Sequence, residues 1–146
     1  MKNLIIISIF ALSLLLNPWE PNFELAKKKA KEKNELILLN FSGSDWCGPC
    51  IRMHGEIFGN ADFLKMAATN LVMVNADFPR NKKNQLVANI KKQNETLANT
   101  YNPNGKFPYT VLLNADGKVI KIWEGLPDET PAKFTGLVKQ LCDANK

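Results

Sequence analysis

Two short apolar runs limit the fold of this chain more than any other feature of its sequence. They cover residues 36–41 and 71–76, and each is six residues long. Runs of this length are typical of strands with both faces buried, whereas helices need about ten residues or more. Amphipathic segments with helical spacing separate the runs. Strands that alternate with helices in a chain of 146 residues predict one domain of the α/β class.

Helical spacing and capping residues predict where the helices lie. Trp19 and Phe23 begin the apolar face of the first helix, which ends near Asn34. The other helices are predicted near residues 47–58, 61–69, 86–101 and 131–142. Two further strands, at residues 109–114 and 119–123, flank an Asp-Gly pair and therefore predict a β-hairpin.

Residues 1–18 are predicted to be a signal peptide or a membrane anchor. Lys2 precedes an apolar run of 13 residues, 4–16. This run is shorter than the roughly 20 residues of a membrane-spanning helix, and it fits the apolar core of a secretory signal. A buried strand is the alternative, but strands average only about 5–6 residues. We therefore expect residues 19–146 to form an exported domain, periplasmic or secreted, or held at the membrane by residues 1–18.

The charge pattern does not indicate a nucleic-acid partner. The net charge is +5, from 19 basic and 14 acidic residues. Five lysines lie on one face of the first predicted helix: Lys27, Lys28, Lys29, Lys31 and Lys33. No aromatic residues for base stacking interleave with them, so we expect a solvated helix face. We also expect the chain to contact a membrane only through its N-terminal segment.

Cys47 and Cys50 carry the chemistry that the sequence indicates. They lie where a buried strand is followed by a helix. At the start of a helix, unpaired N–H groups stabilise a thiolate and lower the pKa of Cys47. Cys50, three residues later, shares a helix face with Cys47, so the two sulfurs can form a disulfide. Cys47 would attack a substrate disulfide, and Cys50 would then release the reduced product.

Other uses of the two cysteines fit the sequence less well. Structural zinc takes four ligands, and His54 and Cys142 are the other candidates. Cys47 and His54 are separated by about 10 Å along a helix, too far for bonds of about 2 Å to one ion. Ile51 stands where haem attachment requires histidine. An inert disulfide would close so small a loop that it removes little chain entropy. We therefore expect redox chemistry with no metal and no cofactor.

The segment 46–50, Trp-Cys-Gly-Pro-Cys, resembles the active site of the thioredoxin family. The segment 107–110, Phe-Pro-Tyr-Thr, is similar to the family's cis-proline loop, and its proline lies 58 residues after Cys50. The resemblance covers roughly residues 19–142. It implies a thioredoxin fold, with a central mixed β-sheet flanked by helices on both faces. The lysine-rich first helix and the loop 41–46 are most similar to exported members, which resemble the reductase domain of membrane thiol-disulfide transporters.

The resemblance also implies a set of site residues. Cys47 and Cys50 would be catalytic, and Pro108 would be cis. The substrate-binding residues would be Trp46, Gly48, Pro49, Phe107 and Pro108. The backbone groups beside Pro108 would then pair with an extended substrate strand. Asp45 is expected to be a solvent-facing loop residue and not a catalyst.

This chain departs from the family where a proton acceptor for the second cysteine is usual. Asn40 stands in place of the family's buried acid, and an amide is no general base. Met73 or Val74 is expected where a lysine often lies. We therefore expect slow resolution of mixed disulfides unless another group assists, and Glu56 is the candidate.

The two other reactive side chains are expected to stand apart from this chemistry. His54 is predicted at a surface or flanking position. Cys142 shares an apolar helix stripe with Val138 and Leu141, so we expect a buried, inert thiol.

These observations predict a thiol:disulfide oxidoreductase that reduces disulfides in extracytoplasmic proteins. We expect a monomer, with a membrane thiol-disulfide transporter as its electron donor. A cytosolic flavin-dependent reductase would be the donor if residues 1–16 are not an export signal. Two alternatives remain open: an oxidase that forms disulfides, and a chaperone-like module that binds peptides and does not need its cysteines.

Overall fold

The computed structural model describes residues 17–146. Most of the predicted signal or anchor, residues 1–16, lies outside the described residues. In the part that is described, no helix is both long and apolar enough to cross a bilayer.

A mixed sheet of four strands forms the centre of the described domain. The strands are β1 (Leu36–Ser42), β2 (Leu71–Asp77), β3 (Tyr109–Leu113) and β4 (Val119–Glu124). Their order in the sheet is β2-β1-β3-β4. β1 pairs parallel with β2 and antiparallel with β3, and β3 pairs antiparallel with β4. The two predicted buried strands are therefore neighbours whose carboxyl ends meet at one edge of the sheet.

Helices cover both faces of this sheet. They are α1 (Phe23–Lys33), α2 (Gly48–Arg52), α3 (Ala61–Asn70), α4 (Ala88–Tyr101) and α5 (Pro131–Ala144). A π-helical segment, Met53–Phe58, continues directly from α2, and a 3-10 turn occupies Lys82–Asn84. The predicted architecture, a mixed sheet between two helical layers, is confirmed.

The alternation of side chains along β1 explains why its first four residues, Leu36 to Leu39, are all apolar. Ile37 and Leu39 face a core cluster shared with α1 and α4. Leu36 and Leu38 face the opposite cluster, shared with α3 and α5. Because successive side chains of a strand point to opposite faces, a strand between two helical layers buries both faces and is mostly apolar.

Two predicted helix starts are wrong. Asn22 is extended and caps α1 by accepting a hydrogen bond from the N–H of Leu25, so the helix begins at Phe23 and excludes Trp19. Trp19 instead forms a parallel β-bridge with Met73 at the outer edge of β2.

The fourth helix also begins later than its spacing predicts. Leu86 precedes α4, because Gln85 and Val87 both have extended ψ angles, 135° and 149°. Leu86 therefore belongs to the segment that links the 3-10 turn to the helix.

Candidate active site

The site lies in the loop that follows β1, at the carboxyl ends of the two parallel strands, where open α/β sheets commonly bind their ligands. The N–H of Cys47 donates to the carbonyl of Gly43 (2.9 Å) and closes the loop. A Cβ at Gly43 would stand only 2.2 Å from Cε2 of Trp46. Glycine is therefore required at this position so that the Trp46 ring can lie over the loop backbone.

Cys47 and Cys50 are joined by a disulfide, with their Cα atoms 5.2 Å apart. Cys47 is the N-cap of α2, and the N–H of Cys50 points at its Sγ (3.3 Å). Cys47 keeps 5% of its surface exposed, whereas Cys50 is completely buried. This confirms that the helix begins directly after Cys47, and it makes Cys47 the sulfur nearer to solvent.

The Phe107–Pro108 peptide bond is cis, as the resemblance implied. Pro108 is buried, and its carbonyl accepts a hydrogen bond from the N–H of Gly125 (2.8 Å). The Phe107 ring contacts the Trp46 ring edge-on, with centroids 5.3 Å apart. Among residues 17–146, the backbone N–H and C=O of Phe107 have no hydrogen-bond partner. They remain available to another chain.

The loop after β2 supports Trp46 from a second side. The indole Nε1 donates to the carbonyl of Phe78 (2.7 Å), and the Arg80 guanidinium lies 3.8 Å from the centre of the indole ring. The Phe78 ring also contacts Phe107, at 5.6 Å. Sequence reasoning missed Phe78 and Arg80. Their position directly after the second parallel strand was the signal, because that strand ends beside the first.

Asp45 holds this second loop in place. Its carboxylate accepts hydrogen bonds from the backbone N–H groups of Arg80 (2.9 Å) and Asn81 (2.8 Å) and from the amide of Asn84 (3.0 Å). These hydrogen bonds, that from Arg80 first, lower the pKa of Asp45. Asp45 therefore lies in a loop, as expected, and anchors the loop that follows β2.

Gly48 and Pro49 are exposed on the first turn of α2. Together with the half-buried Trp46 and Phe107 rings, they form the accessible surface around Cys47. The structure thus brings the predicted substrate-binding residues together, with Pro108 buried beneath them.

A buried polar network lies behind the disulfide. The amide nitrogen of Asn40 contacts Oδ1 of Asn75 (3.1 Å) and Nε2 of His54 (3.1 Å). The amide oxygen of Asn40 accepts a hydrogen bond from the hydroxyl of Thr110 (3.0 Å). Strand register explains this meeting, because Asn40 pairs with Asn75 on one side and with Thr110 on the other.

The residue directly opposite Asn40 on β2 is neither Met73 nor Val74. β1 and β2 pair with Leu36 opposite Leu71, which places Asn75 opposite Asn40. Met73 and Val74 are both buried in the apolar clusters. The side chain that β2 places next to the Asn40 amide is therefore the polar amide of Asn75.

Of the two predicted positions of His54, surface or flanking, the structure shows the flanking one, since the half-buried ring belongs to this network. Its ring stacks on Trp19 (5.1 Å) and meets Phe58 edge-on (5.4 Å). Burial lowers the pKa of His54, and this outweighs the opposing effects of the Asn75 hydrogen bond and of the Asp77 charge. The four-residue spacing from Cys50 was the signal that sequence reasoning missed, since such residues share a helix face.

A cavity of about 210 Å³ connects the inner cysteine to the network. Its lining residues are Ser42, Ser44, Cys50, Ile51, His54 and Asn75. Glu56, the acid proposed to assist Cys50, does not reach it. Glu56 is exposed and forms an ion pair with Arg52 (3.0 Å), which lowers the pKa of its carboxyl group.

The third cysteine lies away from the disulfide. Cys142 is fully buried on α5, in the cluster that contains Phe134 and Val138. Burial raises the pKa of this thiol to about 11. The expectation of a buried thiol is confirmed. Within residues 17–146, no group of three His, Cys, Asp or Glu side chains is placed to hold a metal ion.

The fold and the disulfide at a helix start define a thioredoxin-like protein. The model of the thioredoxin-like domain family matches residues 23–141, and the chain belongs to this family. The solved structure "DsbH Oxidoreductase" is similar, with a TM-score of 0.77 and 30% identity. This match covers 86% of the chain and 83% of that structure.

Two curated proteins of Chlamydia pneumoniae are also similar. Disulfide bond reductase DsbH is 37% identical over 100 residues, which are 68% of this chain and 58% of that protein. Thioredoxin-related protein DsbJ is 30% identical over 102 residues, which are 70% of this chain and 28% of that protein. The matched region thus spans less than two thirds of either relative.

Proposed function

We propose that this protein is a thiol:disulfide oxidoreductase that reduces disulfides in other proteins. The observation that carries this proposal is the Cys47–Cys50 disulfide at the start of α2, with Cys47 slightly exposed and Cys50 completely buried. The similarity to a protein named disulfide bond reductase supports the direction of the reaction.

The two sulfurs exchange electrons with the client in two steps. The Cys47 thiolate, stabilised by the N–H groups at the helix start, attacks a client disulfide and forms a mixed disulfide. One client sulfur leaves and takes up a proton. Cys50 then loses its proton and attacks Cys47, so that the Cys47–Cys50 bond forms and the bond to the client breaks. The client disulfide has gained two electrons, and the two cysteines have lost them.

The surface around Cys47 suits an extended client segment. Phe107 presents a backbone N–H and C=O, and Trp46 presents an apolar face beside them. Gly48 and Pro49 leave the approach to Cys47 open because they carry little bulk. We therefore propose that a client strand pairs with Phe107, next to the cis Pro108, and places its disulfide over Cys47.

We propose that residues 1–18 direct this protein out of the cytosol, so that it acts outside the cytosol. Their apolar run fits a signal peptide or anchor. An exported reductant needs electrons from across the membrane, so a membrane thiol-disulfide transporter is the proposed electron donor. We also propose that the domain acts as a monomer. Cell fractionation of the full chain, beside a chain that lacks residues 1–18, tests the location, since only the full chain should be exported.

A redox titration in glutathione buffers tests the proposed activity. We expect a Cys47–Cys50 potential nearer to about −270 mV than to about −120 mV. Cys47→Ser should abolish reduction of a disulfide-bonded client, and Cys50→Ser should trap the mixed disulfide. Cys142→Ser is the matched control and should keep full activity, because Cys142 is buried away from the site.

Two outcomes would contradict this assignment. A potential near about −120 mV would indicate an oxidase that forms disulfides. Client binding and biological effect that survive replacement of both Cys47 and Cys50 by serine would indicate a peptide-binding module.

A further inference from the structure

The buried cysteine of the proposed cycle needs a base. A thiol attacks as its thiolate, and a thiol without a base is mostly protonated near neutral pH. Cys50 is completely buried, which disfavours its charged form further. The exposed Glu56 is paired with Arg52, and the amide of Asn40 takes up no proton near neutral pH.

We infer that His54 is the proton acceptor for Cys50 during resolution of the mixed disulfide. His54 and Cys50 line the same cavity, one helical turn apart on the segment that runs from α2 into the π-helix. π-helical turns inside helices occur frequently at functional sites. The inference rests on the proposed oxidoreductase function and adds to it the identity of the base.

The surroundings of His54 keep its ring in place and ready to accept a proton. Trp19 stacks on the ring, Phe58 contacts it edge-on, and Asn40 contacts Nε2. Burial favours the neutral imidazole, which can act as a base. The charged group that acts on His54 is Asp77, at the end of β2, and its negative charge favours the protonated ring once the proton arrives.

The amide network can follow this change of charge. While His54 is neutral, the Asn40 amide nitrogen donates to the unprotonated Nε2. An amide rotated by 180° exchanges its oxygen and nitrogen, so Asn40 and Asn75 can then turn an oxygen toward a protonated Nε2. Thr110 is able to donate or to accept, so its hydrogen bond to Asn40 survives the rotation.

The step is balanced without any further reactant. The Cys50 thiol passes its proton to Nε2 of His54, directly or through one water molecule in the cavity, as the Asn40 amide turns its oxygen toward that nitrogen. The Cys50 thiolate attacks Sγ of Cys47, the Cys47–Cys50 bond forms, and the bond between Cys47 and the client sulfur breaks. The client leaves as a thiolate and takes up the proton from His54 or from solvent.

Rapid mixing of the reduced protein with glutathione disulfide separates the two chemical steps. Samples quenched with acid and analysed by mass spectrometry show first the mixed disulfide on Cys47 and then its conversion to the internal disulfide. The variants are His54→Gln, which keeps a hydrogen bond to Asn40, and His54→Phe, which keeps the aromatic contacts with Trp19 and Phe58. Glu56→Gln, two residues away on the same helix, is the matched control.

We expect both His54 variants to resolve the mixed disulfide roughly 10- to 100-fold more slowly near neutral pH, with formation of the mixed disulfide unchanged. The difference from wild type should narrow steadily as the pH rises above about 8.5, because hydroxide then ionises a growing fraction of Cys50 without a protein base. Glu56→Gln should match wild type at every pH.

Three results would overturn the inference. Unchanged resolution in either folded His54 variant shows that His54 is not the base. An equal slowing at every pH shows that His54 has only a structural role. If wild type forms neither the mixed disulfide nor the internal disulfide, the proposed function itself fails, and the role of His54 fails with it.

Discussion

The three cysteines show how position decides the chemistry of one side chain. Cys47 caps a helix, accepts a hydrogen bond from the N–H of Cys50 and keeps 5% of its surface exposed. Cys142 lies in an apolar cluster, where burial raises the pKa of its thiol to about 11. Because the thiolate is the reactive species, the first environment favours reaction and the second suppresses it.

We therefore predict that Cys142 resists alkylation in the native protein. A rise of its pKa from 9.0 to about 11 lowers the thiolate fraction at pH 8 by about 100-fold, and burial blocks the reagent further. Alkylation with iodoacetamide should be at least that much slower in native than in urea-unfolded protein, and it should speed up as pH rises toward 11. Mass spectrometry measures both rates. Rapid native labelling of Cys142 at pH 8 would contradict the prediction.

At the scale of elements, the loops after β1 and β2 form the site together. Gly43 leaves room for the Trp46 ring that connects them. Trp46 lies over Gly43, donates to the carbonyl of Phe78 and stacks under Arg80. Asp45, its neighbour, binds the same second loop through the N–H of Arg80. The loop after β1 is thus held by the loop after β2, so the position of the Trp46 ring depends on both loops.

We predict that Gly43→Ala displaces Trp46 and destabilises the fold by about 1–3 kcal/mol, as overpacking typically does. The new Cβ would lie 2.2–2.6 Å from three indole atoms. Urea unfolding and tryptophan fluorescence measure the two effects. Gly136→Ala, a helical glycine whose added Cβ meets nothing within 4 Å, is the control and should be neutral or slightly stabilising. Equal stability of the Gly43 variant and wild type would refute the steric requirement.

Part of this element structure follows from local sequence. Six-residue apolar runs predicted β1 and β2, and the helix predicted near residues 131–142 is α5, which Thr130 caps and Pro131 begins. Strand burial and helix capping both depend on nearby residues. The predicted start of the first helix at Trp19 was wrong, because a residue with helical spacing can equally pair with the edge of a strand. That choice depends on β2, more than 50 residues away.

At the scale of the whole molecule, the redox potential and the stability are linked. If the folded protein favours its disulfide more than the unfolded chain does, the oxidised form must be the more stable one. A reductant with a low potential meets this condition, whereas a strong oxidant has a more stable reduced form.

We therefore predict that the oxidised protein unfolds at a higher urea concentration than the reduced protein, by about 1–3 kcal/mol in the free energy of unfolding. Parallel urea titrations with and without a reducing agent measure this difference. The Cys47→Ser variant is the control and should show no dependence on the reducing agent. A more stable reduced form would favour the oxidase alternative.

The sequence by itself determined the α/β order, the Cys47–Cys50 pair and the Phe107–Pro108 loop. Each of these depends on residues within one turn, one strand or one motif. The tertiary structure alone decided the surroundings of the inner cysteine and of Trp46. Asn40 contacts His54 and Thr110, which are 14 and 70 residues away in the chain, and Arg80 contacts Trp46 from another loop. Such contacts depend on strand register and on how two loops pack at one edge of the sheet, and neither is encoded in local spacing.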